Sequence, residues 1–355
     1  MSDKFRIDSH KLLYHPKRVS DWMAGKNIGP IFMELSPTSA CNHRCVFCGY
    51  DFTGHIPKFI DTDIYVSRLK GMARKGVKSV LFSGEGESFM HKDFCEICNS
   101  TNEAGIDTAI ATNGVLMTPE KLEKIIRGVS WIKVSCNGLN PGSYKDIQGT
   151  SADDFDKVIS NLEAAVELRK QTGSKCTLGL QSLLLPENAG EMSRLAAICR
   201  DIGLDYMVVK PYSQHPQGLA QDYKDLTYEN FSGLEEELSA FNTDSFKVIY
   251  RANTMKRLLD NERGYDQCLA LPFWSYMDVD MNIWGCAMFI GDERFLYGNL
   301  REEGFDQIWD GAKRERSMEW FKTFDVSSCR TNCRMDKINT YLWELAHPNP
   351  HVNFI

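Results

Sequence analysis

The sequence predicts an α/β fold: an open, partial (β/α)6 TIM-like barrel followed by a small hairpin-plus-helix unit. From residue 31 onward, apolar runs of strand length alternate with stretches of helical periodicity. That alternation implies a parallel sheet covered by helices, and six such units are too few to close an eight-stranded barrel. After residue 263 the chain changes character, and cysteines and aromatics flank a turn between two short apolar runs.

Residues 1–29 are polar with scattered apolar positions. Pro16 and the Gly29-Pro30 pair mark turns, and the segment reads as a lead-in packed over the barrel. The strand candidates are Ile31–Leu35, Val77–Phe82, Thr108–Thr112, Trp131–Ser135, Thr177–Leu185 and Tyr206–Lys210. Between them, Thr118 caps a helix with Pro119 at its first position. Ser151-Ala152-Asp153-Asp154 resembles a capping box and opens a helix running to about Gln171. Asn188 to Glu191 opens the next helix. Residues 213–262 are polar, with a helix over Tyr228–Phe241, and look like a bridge. Cys268 then leads into Leu271–Met277. A turn at Asp278–Asn282 and the return Ile283–Cys286 read as a hairpin. One helix is expected over Phe305–Phe324, before Cys329 and Cys333. The domain boundaries expected are 1–29 lead-in, 30–225 barrel, 226–262 helical bridge, 263–340 cysteine-bearing unit and 341–355 tail.

The 355 residues, 43% hydrophobic and 25% charged, describe an ordinary globular chain. A chain of this length buries a core without disulfides, yet it carries 12 cysteines. The first 18 residues lack the apolar stretch of a signal peptide, and no run is long enough to span a bilayer. A reducing cytoplasm is therefore expected, where clustered cysteines point to metal or redox work. A net charge of −7 argues against nucleic-acid binding.

The chemistry-bearing stretch is Cys41-Asn42-His43-Arg44-Cys45-Val46-Phe47-Cys48. Its C-x3-C-x2-C spacing follows the first strand directly, which places the thiols on a loop at that strand's C-terminal end. Three thiolates suit a [4Fe–4S] cluster, one cysteine per iron, with the fourth iron left open. The alternatives are a zinc site completed by His43 or a remote cysteine, or inert buried thiols.

Further motifs close the next strands: Gly84-Glu85-Gly86-Glu87-Ser88, Thr112-Asn113-Gly114 and Ser135-Cys136-Asn137-Gly138. With these in order, residues 30–335 resemble the radical S-adenosylmethionine (SAM) superfamily. The resemblance implies that Cys41, Cys45 and Cys48 hold a [4Fe–4S] cluster whose open iron binds SAM, and that reductive cleavage gives a 5′-deoxyadenosyl radical. It implies Phe47 against the adenine, Glu85, Gly86 and Glu87 at the methionine end, and Ser135 and Gln181 at the carboxylate and ribose. Asn113, Asn137 and Gln148 fall on further SAM-binding positions. Three departures stand out: Ser88 for a usual proline, Asn137 for a common aspartate, and Gln148 where many relatives place an arginine facing the SAM carboxylate. Cys268, Cys286, Cys329 and Cys333 resemble the Twitch form of the Twitch/SPASM domain. They would ligate an auxiliary [4Fe–4S] cluster, with a zinc ribbon as the alternative. A flavodoxin- or ferredoxin-type electron donor is implied.

Cys95 and Cys98 fall within a helix and read as core residues. Candidate catalytic residues are Lys210, which ends a buried strand, Tyr50 beyond the cysteine loop, and Cys136. A lysine there needs an anion or a solvent path: a substrate carboxylate or phosphate, or a salt bridge to a barrel glutamate such as Glu34 or Glu85. Asp51 is a second pocket candidate, and His215 reads as a solvated loop histidine. The short lead-in leaves no room for a leader-peptide-binding domain, so a small polar substrate is favoured: a sugar, aminocyclitol or nucleotide-linked carbohydrate. A fully ligated auxiliary cluster suits dehydrogenation. The alternatives are an epimerase or decarboxylase, a peptide-modifying maturase, and a zinc-binding protein without turnover.

Overall fold

Parallel strands follow one another in chain order because each βα unit returns the chain to the same end of the sheet. In the computed structural model, which describes residues 4–231, 233–260 and 263–354, these are β1 (Phe32–Leu35), β2 (Ser79–Phe82), β3 (Asp107–Thr112), β4 (Val129–Ser135), β5 (Thr177–Leu184), β6 (Tyr206–Pro211) and β7 (Lys247–Tyr250). Three more strands, β8 (Trp274–Met277), β9 (Asn282–Trp284) and β10 (Leu296–Asn299), extend the sheet from β1, giving the order β10-β9-β8-β1-β2-β3-β4-β5-β6-β7. The first three residues of the lead-in, residues 232, 261 and 262 of the expected bridge, and residue 355 of the tail lie outside the described residues.

The helices sit between the strands. α1 (Pro16–Met23) precedes the sheet, and α2 (Thr62–Lys75), α3 (Phe94–Glu103) and α4 (Pro119–Ile125) connect the first four strands in turn. α5 (Pro141–Gln148) and α6 (Asp153–Thr172) follow β4, α7 (Met192–Ile202) follows β5, α8 (Leu234–Ser239) follows β6 and α9 (Ala252–Asp260) follows β7. α10 (Phe305–Asp310), α11 (Ala312–Phe321) and α12 (Asp336–Ala346) end the chain.

Strand alternation sorts the side chains. Met33, Leu35, Val80, Phe82, Ile110, Ile132, Val134, Leu180, Met207 and Val209 share one core with the helices, and Cys98 lies in it as expected. The residues between them, among them Glu34, Ser135, Gln181 and Lys210, face the barrel interior and line its cavity. The lead-in covers two places. Phe5 and Ile7 pack on Tyr206, Val208 and Ile249, while Leu12, Val19 and Ile28 pack on Phe273 and Leu342.

The six expected strands are present, and several local expectations are corrected. The bridge holds β7, which pairs in parallel with β6; a four-residue strand with a polar start carries no readable alternation. The hairpin is no separate sheet, because β8 pairs in parallel with β1, Phe32 opposite Trp274 and Glu34 opposite Tyr276. The tail boundary at 341 falls inside α12, and the helix expected over Phe305–Phe324 breaks at Gly311, whose backbone is extended. The helix expected over Tyr228–Phe241 shrinks to a 3-10 turn at Glu229–Phe231 and α8. No capping box opens α6: the Asp154 carboxylate accepts from the Thr150 hydroxyl (2.5 Å) and Lys157 (2.8 Å) instead.

Trp309 ties the C-terminal unit to the lead-in. It is fully buried, its Nε1–H donates to the Ile28 carbonyl (2.7 Å), and the Arg314 guanidinium lies 4.1 Å from its ring centre. Trp309→Ala is expected to cost ~3–5 kcal/mol of stability, read as a lowered urea midpoint.

Candidate functional site

The cysteine loop is fixed from both sides. The Arg44 N–H donates to the Gln148 carbonyl (3.2 Å) and the Val46 N–H to the Ile147 carbonyl (3.1 Å), which docks the loop on the end of α5. Gly149 makes this approach possible: its φ is +58°, and a Cβ there would stand 2.1 Å from the Arg44 carbonyl oxygen. On the other side, Asn113 Nδ2 donates to Asn42 Oδ1 (2.7 Å) and the Glu87 N–H to the Ala40 carbonyl (2.8 Å). A Cβ on Gly86 would sit 2.3 Å from the Ala40 carbonyl oxygen, so that glycine serves the packing of this loop.

Burial pushes the Cys41 thiol up to about 11 and the Cys45 and Cys48 thiols upward as well, with neighbouring thiols adding to the shift at Cys41 and Cys45. Such thiols give up their protons to a cation of high charge, which is how metal binding couples to deprotonation. His43 is turned to Asp154 (3.6 Å) and the Tyr144 ring, and burial pushes it down to about 4. His55, which sequence reasoning missed, reaches Cys48 instead. Its Nε2 lies 3.7 Å from the thiol, and its Nδ1, 3.1 Å from the Glu85 carbonyl, must carry a proton to donate there.

A cavity of about 250 Å³ opens at the C-terminal ends of the strands. Phe47, Tyr50, Ser135, Asn137, Gln181 and Lys210 all line it, so it gathers many of the sequence-predicted positions. Cys286 and Cys333 line it as well. Those two thiols, with Cys268 and Cys329, also surround a second, narrow cavity walled by Phe289, Phe295, Phe321 and Met335. Burial, then the other thiols, pushes Cys329 up to about 12 and Cys286 well above the ordinary range. Among the described residues no three His, Cys, Asp or Glu side chains converge on a point that could hold a single metal ion. Four thiols spaced around a cavity fit a polynuclear cluster as a donor set.

Other predicted residues lie elsewhere. The Glu85 carboxylate faces away from this cavity and accepts from the Tyr276 hydroxyl (3.1 Å) and the Val279 N–H (3.2 Å). Glu87 is buried and accepts from the Thr112 hydroxyl (2.7 Å) and the Asn113 N–H (2.7 Å). Gln148 is buried beside the loop, where Cys45 Sγ lies 3.5 Å from its Oε1 and Asn137 Nδ2 donates to that oxygen (3.0 Å). Cys136 belongs to the apolar core, its thiol donating to the Gly138 carbonyl (3.2 Å). Asp51 accepts from the Leu219 and Ala220 N–H groups (2.8 and 2.7 Å). His215, expected in solvent, is buried in the cavity wall against Phe52 and Tyr50, and burial, then Arg330, pushes it down to about 4.

The wall also carries Arg330 and Arg334, and Lys133 lies one residue layer deeper. Sequence reading missed all three. Lys133 shares the Ser135 face by the two-residue strand period, and the two arginines flank Cys333. Arg334 pairs with Glu34 (3.0 Å), but Lys210 makes no ion pair or hydrogen bond among the described residues, so of the two alternatives weighed for it the salt bridge to Glu34 or Glu85 is not formed.

Fold and site define a partial-barrel α/β protein whose strand ends present a three-thiol loop to a polar cavity, with a second thiol set behind it. Residues 35–196 match the family model described as the radical SAM superfamily. A probable GTP 3′,8-cyclase of Methanocaldococcus jannaschii is 28% identical over 64% of this chain and 72% of its own length. An AdoMet-dependent heme synthase of Methanosarcina barkeri is 24% identical, covering 81% of this chain and 84% of that protein. Among solved structures, Streptococcus suis SuiB bound to S-adenosylmethionine superposes with a TM-score of 0.65 at 20% identity, over 85% of this chain and 70% of SuiB. The radical SAM match covers residues 35–196, and Cys41, Cys45 and Cys48 fall inside that matched segment.

Gly149→Ala is expected to displace the loop that carries Cys41, Cys45 and Cys48, read as a lower iron content than wild type after anaerobic reconstitution. Glu85 gives a pH test. Burial, then Asp278, raises its carboxyl from 4.5 to about 7. The unfolded chain loses this proton first, so stability falls as pH rises through that window. Glu85→Gln is expected to remove the fall, a gain of about 3 kcal/mol at pH 8 measured by urea unfolding.

Proposed function

We propose that this chain is a radical SAM oxidoreductase that dehydrogenates a small polar molecule, carbohydrate-like or nucleotide-linked. The observation that carries the reading is one shared cavity, lined by Phe47, Ser135 and Gln181 and also by Cys286 and Cys333. When bound, the clusters and SAM supply a 5′-deoxyadenosyl radical that removes a hydrogen atom and an acceptor for the substrate's second electron. Cys41, Cys45 and Cys48 would hold the first cluster. Cys268, Cys286, Cys329 and Cys333 would hold the second, in the manner of a Twitch domain, with no iron left open. Phe47 offers a ring face to adenine, and Ser135, Asn137 and Gln181 offer hydrogen-bonding groups to the methionine carboxylate and the ribose. Tyr50, Trp274 and His215 narrow the cavity and exclude water. Lys210 and Arg330 orient the substrate.

The names of the relatives support a small substrate: one is a GTP cyclase, one a heme synthase, and a third, from Pyrococcus furiosus, a cofactor-modifying protein. No described helix is long and apolar enough to cross a membrane. We place the protein in a reducing cytoplasm, supplied by a flavodoxin- or ferredoxin-type donor. The second reading, a peptide-modifying maturase, draws on the fold shared with SuiB, solved with its precursor peptide.

Anaerobic reconstitution is expected to load about eight irons. Incubation with SAM, reductant and deuterated candidate sugars is then expected to place deuterium in 5′-deoxyadenosine. Zinc alone, with no 5′-deoxyadenosine, overturns the reading, and deuterium arriving only from a peptide favours the maturase. Cys286→Ala with Cys333→Ala is expected to keep SAM cleavage and lose the oxidised product, scored by mass spectrometry.

A further inference from the structure

We propose that the substrate carries an anionic group, carboxylate or phosphate, that seats against the Lys210 ammonium with the Arg330 guanidinium beside it. This rests on the reading of the cavity as the substrate site. The cavity wall holds three cations, Lys210, Arg330 and Arg334, and one carboxylate, Glu34. Glu34 is already committed to Arg334 and to the Ser83 hydroxyl. Arg330 has no acidic partner among the described residues: its Nε–H donates to the Ser213 hydroxyl (2.9 Å), and one terminal nitrogen faces Met288 sulfur (3.8 Å). Lys133 donates to Gln181 Oε1 (2.9 Å) and also has no carboxylate.

Lys210 is the extreme case. It is the penultimate residue of β6, opposite Leu183, lines the cavity and meets no acceptor among the described residues. The charges that act on it most strongly are of its own sign: Lys133, Arg330, Arg251 and Arg334. A buried cation with only cations near it costs free energy until an anion arrives. Arg330, flanked by Cys329 and Cys333, can balance thiolates; Lys210 has no thiol among the groups acting on it. An ammonium is a point charge that accepts either a carboxylate or a phosphate oxygen. Burial and those neighbouring cations push the Lys210 ammonium well below the ordinary lysine range, and a bound anion would raise it again.

The test uses the anaerobic, cluster-loaded protein saturated with SAM, titrated calorimetrically at low salt with inorganic phosphate, acetate or glycerol. At least one anion is expected to bind one to one while glycerol does not, and the better of the two names the group. Lys210→Met is expected to weaken that anion tenfold or more, and Lys210→Arg to keep it within about threefold, with iron content and SAM affinity held. In the wild-type protein the bound anion is expected to protect Lys210 from acetylation, read by peptide mass, which needs no variant. The proposal is overturned if neither anion binds, if Lys210→Met binds it equally well, if Lys210 is not protected, or if Lys210→Met loses SAM affinity instead. The last result would assign the lysine to the SAM carboxylate. Formation of 5′-deoxyadenosine by the same preparation is scored separately, so failure of the radical reading is distinguishable from failure of the anion site.

Discussion

The parallel register of β8 on β1 is the constraint on which the rest depends. Ladder bonds run from the Ile31 N–H to the Phe273 carbonyl (2.8 Å) and from the Ser36 N–H to the Met277 carbonyl (3.0 Å). This pairing makes the C-terminal hairpin part of the barrel wall. A one-residue slip would turn Tyr276 and Trp274 from the interior to the outer face. With the register held, Tyr276 reaches Glu85, Trp274 lines the cavity, and the return strand brings Cys286 to the same space as Phe47 and Lys210. Distance between the two thiol sets is therefore set by sheet geometry and not by a flexible linker.

The barrel interior is costly to build. Its inward positions carry Glu34, Lys133, Gln181 and Lys210, all of which water would solvate better. Part of that cost is met inside the chain: Glu34 with Arg334, Lys133 with Gln181, Glu85 with Tyr276. Asp278 is held likewise by the Trp284 indole N–H (2.7 Å) and Asn282 (2.9 Å). Lys210 and Arg330 are left without an acidic partner among the described residues, and in the same wall His215 Nε2 and Trp274 Nε1 are buried without a hydrogen-bond partner, which supports the reading of this cavity as a ligand site.

The sheet was legible where runs were long and apolar. β1 to β6 each show Val, Ile, Leu or Met on the helix-facing side, a pattern readable without coordinates. β7 was not legible, since Lys247–Tyr250 offers too few residues for a period, and β8 was read as a strand but not as a partner of β1. Pairing across 242 positions, from Phe32 to Trp274, leaves no local trace. The cysteine loop was legible from spacing. Its supports were not: His55 needs a left-handed backbone (φ +49°) to face Cys48, and Asn42 meets Asn113 only through the fold. Glu85 sits in a loop that motif reading assigns to a ligand, and its carboxylate accepts from Tyr276 of β8 and from the Val279 N–H just beyond that strand, partners that motif reading does not show.

Gln148 connects these points. Motif reading noticed an uncharged side chain where relatives of this family carry arginine, and left open what balances a carboxylate there. The structure gives the neutral residue its own logic. Gln148 is enclosed, with its amide oxygen facing Asn137 Nδ2 and Cys45 and its amide nitrogen donating to the Ser135 carbonyl (3.2 Å). A guanidinium enclosed there would face the Asn137 Nδ2 amide, a fellow donor, where the Gln148 oxygen accepts from it. The positive charge of the cavity stands instead on β6 and beside the last thiols, at Lys210, Arg330 and Arg334, while Phe47, Gly49 and Tyr50, from the cysteine loop and just beyond it, bring no charge to the lining. Gln148 is not part of that lining, so an anionic ligand in the cavity would meet its counter-charge at Lys210 and the arginines.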